Sequence, residues 1–287
     1  MNITPASISL FQAPMLASLP GRPAISGNDS WASVFSSLLA PTAPIPAVPT
    51  SGPHGLNPTG RNQSLFDPES AYRMMTLINN DEVLYKAQFS ELHQVQAGVS
   101  HMQGAAEKLA GILLSTDNVS IKQQLQNFAA QYNDWIRRIA PDLQQGGLLS
   151  DTQAAQSSRF ELEQNINNRF FGIANGVHGM RDLGFAVDPG SHELSLDEHK
   201  LDILLASNKQ GVVNALQEFC ANFAKSASLL NADGNMFQKQ LGNLDRAIHF
   251  IENNRDSLQA EFGTGDAAKP SGQVARALAA YGQAAPA

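Results

Sequence analysis

Residues 92–113 read LHQVQAGVSHMQGAAEKLAGIL. Their apolar members, Leu92, Val95, Val99, Met102, Ala106, Leu109 and Leu113, are spaced 3, 4, 3, 4, 3 and 4 apart. That is a heptad seam held for three repeats, the pattern of a long helix that must bury one narrow stripe. A strand would alternate with a period of two. The pattern returns near the C-terminus. Phe237, Leu241, Leu244, Ile248 and Ile251 are spaced 4, 3, 4 and 3 apart. Leu258 and Phe262 resume the series after Arg255 takes the skipped position. Two such seams predict a mainly α fold, an elongated helical bundle or coiled coil.

The first helix extends back to Asp67-Pro68, an N-cap followed by proline at the first helical position, and passes Tyr85. Asn79-Asn80-Asp81 reads as a break near its start. After Ser115 the cluster Thr116-Asp117-Asn118 ends this helix and caps the next. The second helix carries Ile121, Leu125, Phe128, Tyr132, Trp135 and Ile139 and is expected to stop before Pro141. Gly146-Gly147 is a turn, and Ser150 is the expected cap of a third helix with Phe160, Leu162, Ile166, Phe170 and Ile173.

There the period changes. Phe185 and Val187 alternate with polar neighbours, Asp188-Pro189-Gly190 is turn chemistry, and Glu193-Leu194-Ser195-Leu196 alternates again. These residues predict one small β-hairpin near 183–196. Ser195 and Glu198 have the spacing of a capping box before a short helix with Leu201, Leu204 and Leu205. A longer helix with Val213, Leu216, Cys220, Phe223, Ala227 and Leu230 follows, and Asp233-Gly234 leads into the second seam, which closes at Gly263-Thr264-Gly265. Residues 67–263 thus read as one helical bundle.

The termini differ from this body. Ten of the 15 prolines fall within residues 1–66, with two arginines, one aspartate and no lysine. Such a Pro/Ala/Ser-rich stretch buries too little surface to offset its ordering entropy, so 1–66 reads as a disordered arm. Its one apolar patch, Trp31 to Leu39, is a short segment able to become helical against a partner. Residues 264–287 read as a flexible tail. The net charge of -7 disfavours nucleic acid as a partner. No run approaches the length of a membrane span. The single cysteine, Cys220, excludes an intrachain disulfide and a cysteine zinc cage, and its place on a seam marks it as a packed thiol.

Catalytic patterns are missing. The seven histidines form no H-E-x-x-H, no G-x-S-x-G or phosphate loop occurs, and Gly172, Gly176 and Gly179 lack the preceding strand of a dinucleotide site. His192, Glu198 and His199 flank the hairpin and read as solvated loop and helix residues rather than metal ligands. No enzyme activity, cofactor or metal is expected.

The second half resembles a known family. Phe128-Ala129-Ala130-Gln131-Tyr132-Asn133-Asp134, then Gly147-Leu148-Leu149-Ser150-Asp151, then Leu183-Gly184-Phe185 with Asp188, Gly190, Leu194-Ser195-Leu196-Asp197 and Lys200-Leu201, occur in the order of the C-terminal region of the flagellar filament-capping family, hook-associated protein 2. Asn208 to Leu216, Asp233-Gly234 and the closing seam complete a resemblance over about 117–262. The family's β-rich outer domains have no counterpart, because Ser115 to Ser120 bridges directly between helices. The chain is similar to a reduced relative that keeps the helical stalk and hairpin.

The resemblance implies a structural, self-assembling component of the bacterial flagellum that supports flagellin assembly at the filament tip. It implies flagellin or hook-associated subunits as partners, a homo-oligomer when docked, and secretion by type III export. No basic residue precedes Arg22, and Gln12 and Pro14 interrupt the only apolar stretch, so an uncleaved N-terminal export signal fits the arm better than a Sec leader. The expected assembly seams are Leu92, Val95, Val99, Met102, Leu109 and Leu113 on one helix, with Leu241, Leu244, Ile248, Ile251 and Leu258 on the other. Burial of either seam is equally favourable within one chain or between chains. A cytosolic helical adaptor or chaperone for an exported substrate is the competing reading.

Overall fold

The computed structural model describes residues 55–171 and 176–284. Most of the arm, including Trp31 to Leu39, and Ile173 of the expected third helix lie outside these residues. In chain order the elements are α1 (Pro68–Ala110), α2 (Asn118–Leu143), α3 (Gln153–Asn167), β1 (Phe185–Val187), β2 (Leu194–Leu196), α4 (Glu198–Ser207), α5 (Lys209–Asn231), α6 (Met236–Asn253), α7 (Arg255–Phe262) and α8 (Gly272–Ala284). The fold is mainly α with one small antiparallel sheet. Where the sequence suggests one bundle, the chain forms two compact units: Met1–Ser90 with Gly242–Ala287, and Glu91–Leu241. α1 and α6 each contribute to both.

In the first unit α1 begins as expected. The Asp67 carboxylate accepts from the Ser70 amide at 3.0 Å and the Ser70 hydroxyl at 2.6 Å, bonds that hold its pKa below the usual carboxylate range. The expected break at Asn79-Asn80-Asp81 does not occur, and α1 is continuous. Asn79 instead turns its amide outward to the carbonyls of Thr264 (3.1 Å) and Asp266 (2.9 Å). Met75, Ile78, Ile251 and Leu258 form the apolar core here, with Met74, Tyr85 and Phe262 packed against it.

Two expectations about the ends are corrected in this unit. Residues 55–66 are held in place: Leu56 and Asn62 form a β-bridge, and the Asn62 amide donates to the carbonyls of Ala260 and Glu261. The tail is ordered as well. The Thr264 amide donates to the Gly60 carbonyl at 2.8 Å, and the Tyr72 hydroxyl donates to Asp266 at 2.8 Å. Gly265 has φ +62°, and a Cβ there would lie 2.5 Å from the Thr76 nitrogen, so glycine is needed for this close approach. α8 then forms from residues expected to be flexible. Its Ala277 is buried, and Tyr281 meets the Phe89 ring edge-on at 5.7 Å between centroids. Its small side chains give it a weak sequence signal.

The second unit is built around α2. Asp117 caps it by accepting from the Ser120 amide and hydroxyl at 2.9 and 2.6 Å. The helix does not stop before Pro141 but runs to Leu143. So near the C-terminus proline removes a single hydrogen bond, and the Gln144 amide still closes on the Ala140 carbonyl at 3.2 Å. Phe128 of α2 meets Phe219 and Phe223 of α5 edge-on, each at 5.6 Å between centroids. α3 starts after Thr152, not at Ser150, and ends before Phe170; Phe160 on it is exposed.

The hairpin forms as expected, pairing Phe185 with Leu196, Ala186 with Ser195 and Val187 with Leu194. Its turn is held by the Asp188 carboxylate, which accepts from the Gly190 and Ser191 amides at 2.9 and 2.6 Å. The outer edge of β2 would leave the Leu194 peptide without a ladder partner. Asn133 of α2 fills that place: its side-chain oxygen accepts from the Leu194 amide at 2.6 Å and its nitrogen donates to the Leu194 carbonyl at 2.9 Å. One amide side chain thus extends the sheet by a rung and fixes it to α2.

The capping box is corrected. Asp197, not Ser195, caps α4 by accepting from the Lys200 amide at 3.0 Å. Ser195 belongs to the ladder, and its hydroxyl donates to the Ala186 carbonyl at 3.2 Å.

Asp197→Ala is therefore expected to cost about 1 kcal/mol by loss of the cap, and Ser195→Ala clearly less; paired thermal melts check the order. Asn133→Ala is expected to cost about 1–2 kcal/mol, because it leaves the Leu194 amide without a partner. The matching observation is faster hydrogen exchange at Leu194 with the amides of α5 unchanged. In limited proteolysis residues 55–66 are expected to stay attached to the helical core; a stable fragment beginning near Asp67 would contradict their ordering.

Candidate assembly surface

The structure places both seams inside the chain. Leu92, Val95, Val99, Met102 and Leu109 are all buried, as are Leu241, Leu244, Ile248, Ile251 and Leu258. Leu113 lies past the end of α1 and is exposed. The second seam is also divided, because Asn254 separates α6 from α7 with backbone dihedrals of -107° and 10° and no side-chain cap. That interruption accounts for the skipped heptad position.

Arg255 at that position has a specific task. Its guanidinium bonds to Glu82 of α1, a carboxylate only 5% exposed. Lys86 also contacts Glu82 at 2.7 Å and reaches Glu252 of α6 at 2.7 Å. A buried carboxylate without a cation would be strongly destabilising, so Arg255 and Lys86 make Glu82 tolerable inside the first unit. From its seam position Arg255 is expected to reach water at the edge of a weak coiled coil and set register; instead it pairs with the buried Glu82, a link that nothing in local spacing reveals.

In the second unit α1 and α2 meet where Gly98 faces Trp135. A Cβ at Gly98 would lie 2.4 Å from Trp135 Cδ1, so glycine makes the approach possible. Beside this contact opens a groove of about 350 Å³, lined among others by Glu91, Gln94, His101, Trp135 and Arg138. Arg138 bridges the helices by bonding to Glu91 and Gln94 of α1 and to Asp142 of α2, the last at 3.2 Å. Both carboxylate residues are buried.

Burial pushes the Cys220 thiol up to about 12, so it is a packed side chain and not a nucleophile. His192 contacts Glu163 at 2.9 Å, and His199 is exposed. Among the described residues no group of three or more His, Cys, Asp or Glu is placed to hold a metal ion. No helix among them is long and apolar enough to cross a membrane.

Four of the outward-facing apolar side chains belong to neighbouring elements of the second unit. Leu113 and Leu114 in the α1–α2 turn, Val119 on the first turn of α2 and Ile203 on α4 are all at least half exposed. The surrounding polar contacts tie these elements together: Lys122 pairs with Asp202 at 2.9 Å, and Asn118 donates to the Leu205 carbonyl at 3.5 Å. Val119 and Asp202 also line one shallow groove. The heptad spacing places Leu113 on the first seam, whereas Leu114, Val119 and Ile203 fall outside the apolar series read from the sequence.

Comparison with known proteins adds the remaining observation. The family model for the C-terminus of flagellar hook-associated protein 2 matches residues 91–265, starting earlier than the sequence resemblance and taking in the seam half of α1. No curated protein and no solved structure matches the chain. With a match over well more than half its length, spanning the hairpin, the Asn133 clamp and both seams, the chain belongs to the flagellar hook-associated protein 2 C-terminal family.

Proposed function

We propose that this chain is a self-assembling structural component of the bacterial flagellum, like the filament cap, that supports flagellin assembly at the filament tip. The observation that carries the reading is the family match from Glu91 to Gly265, which covers the whole of the second unit. The buried Cys220 and the structural use of Glu82, Arg138 and Asn133 support a scaffold rather than an enzyme.

In this reading the partners are flagellin or hook-associated subunits, and the chain forms a homo-oligomer when docked. The seam residues Leu92 to Leu109 and Leu241 to Leu258 act from inside, by fixing the helices whose outward positions meet neighbours. Type III export would deliver the protein to the flagellum with its N-terminal arm as an uncleaved signal. The arm's sparse charge and many prolines suit passage as unfolded chain.

Mass spectrometry of sheared filaments, from cells with and without a working flagellar export gate, tests this directly. The expected result is the protein on filaments of the first strain, with its N-terminal peptide intact, and its absence from the medium of the second. Retention in the cytosol of both strains would favour an adaptor or chaperone and overturn the proposal. Ile248→Asp is expected to unfold the first unit, visible as lost helicity by circular dichroism, because Ile248 is fully buried.

A further inference from the structure

Among the described residues of the second unit, Phe171 is the most exposed aromatic side chain, at 78%, and it stands just past the end of α3. Its ring has a partner on either side. The His178 ring lies 5.8 Å away between centroids, and the Arg169 guanidinium lies 5.6 Å from the Phe171 centroid. The backbone beneath is pinned as well: the Phe170 amide donates to the His178 carbonyl at 2.6 Å, and the His178 amide donates to Asp182 at 2.9 Å. A ring held outward in this way has already lost rotamer freedom that binding would otherwise cost. Phe and Arg are also among the residue types enriched where proteins meet.

The same unit offers a receptor for such a ring. The α1–α2 groove beside Gly98 has a volume of about 350 Å³, ample for a phenyl group, since a cavity of roughly 150 Å³ takes up benzene. Val95, Trp135 and Ile139 give the groove an apolar lining, and Ala97 lines it from an exposed position. Its charge is suited to Arg169. The carboxylates of Glu91, Asp134, Asp142 and Glu193 share only two guanidiniums, those of Arg137 and Arg138, which leaves a negative surplus. Arg169 has only a loose partner of its own, Asp182 at 3.7 Å. Phe171 does not line the groove of its own chain.

We propose that the Phe171 ring of one copy inserts into the α1–α2 groove of a second copy, with Arg169 beside it meeting the acidic groups there. This rests on the self-assembling role proposed above and assigns that role a surface. Knob and groove are different parts of one unit, so the contact is head-to-tail. Each copy uses its knob on one neighbour and its groove on another. Such a contact closes into a ring where the rotation between copies permits, and forms an open series where it does not. The buried seams stay shut throughout, so association leaves the core of each copy intact.

Analytical ultracentrifugation of the purified full chain over a concentration series tests the contact. The parent is expected to form species larger than a dimer as concentration rises. Phe171→Ala should weaken association at least about tenfold, as loss of an aromatic anchor does. Ala97→Arg, which fills the groove and sets a like charge against Arg169, should do the same. Both positions are exposed, so circular dichroism of the variants should match the parent. Mixing the two variants is the decisive arm. Phe171→Ala keeps its groove and Ala97→Arg keeps its knob, so the mixture should give a dimer and nothing larger. Once Trp31 is replaced by Phe, Trp135 in the groove is the sole tryptophan. Its emission should move to shorter wavelength as that protein associates, and stay fixed when Phe171→Ala is added. Folded variants that associate as strongly as the parent would overturn the proposal, as would a mixture that grows past the dimer or a parent that stays monomeric at every concentration. The flagellar reading is decided separately, by the protein's presence on sheared filaments.

Discussion

Both units depend on the burial of one side of α1. Its 43 residues carry apolar side chains at heptad spacing, and a lone helix of this kind cannot cover its own seam. In the first unit Ile251 and Leu258 cover Met75 and Ile78, and in the second unit Trp135 packs onto Gly98. At ~25 cal/mol per Å² of apolar surface this burial is the largest favourable contribution available to a chain with little sheet and no disulfide. The rest of each unit can be understood as what makes that burial compatible with the polar groups it displaces.

Those polar groups explain why some of the fold was legible in the sequence and some was not. Helix starts at Asp67 and Asp117 could be read because a cap is a local event, confined to a few successive residues. The hairpin was legible for the same reason: its turn residues and its alternation sit within a dozen positions. Pro141 and Ser195 misled because local rules there compete with stronger neighbours. A helix three residues from its end tolerates proline, and a serine already in a ladder leaves the cap to the aspartate that follows.

What local reading could not give is the pairing across distance. Asn133 to Leu194, Glu82 to Arg255 and Glu91 to Arg138 each join residues far apart in sequence, and each satisfies a group that burial would otherwise leave unpaired. The ordering of the tail belongs to the same class. Tyr72, Thr76 and Asn79 look like surface residues of a helix until Thr264 and Asp266 arrive to meet them. The seams are stripes that need burial, yet a stripe does not say whose atoms will cover it.

That last ambiguity constrains how such a chain can assemble. A side chain with no accessible area in the isolated chain gains nothing more from a neighbour, because the hydrophobic gain depends on area still exposed to water. Using the seams between chains would require opening them within each chain first, and the charges clustered around Glu82 and Arg138 would then lose their partners too. If the chain assembles as proposed, exposed positions are what it has to offer neighbours, and there apolar residues such as Val119 and Ile203 stand among ion pairs that are already satisfied. Such surfaces associate without disturbing the fold that presents them, and their affinity can be adjusted by substitutions that the core never senses.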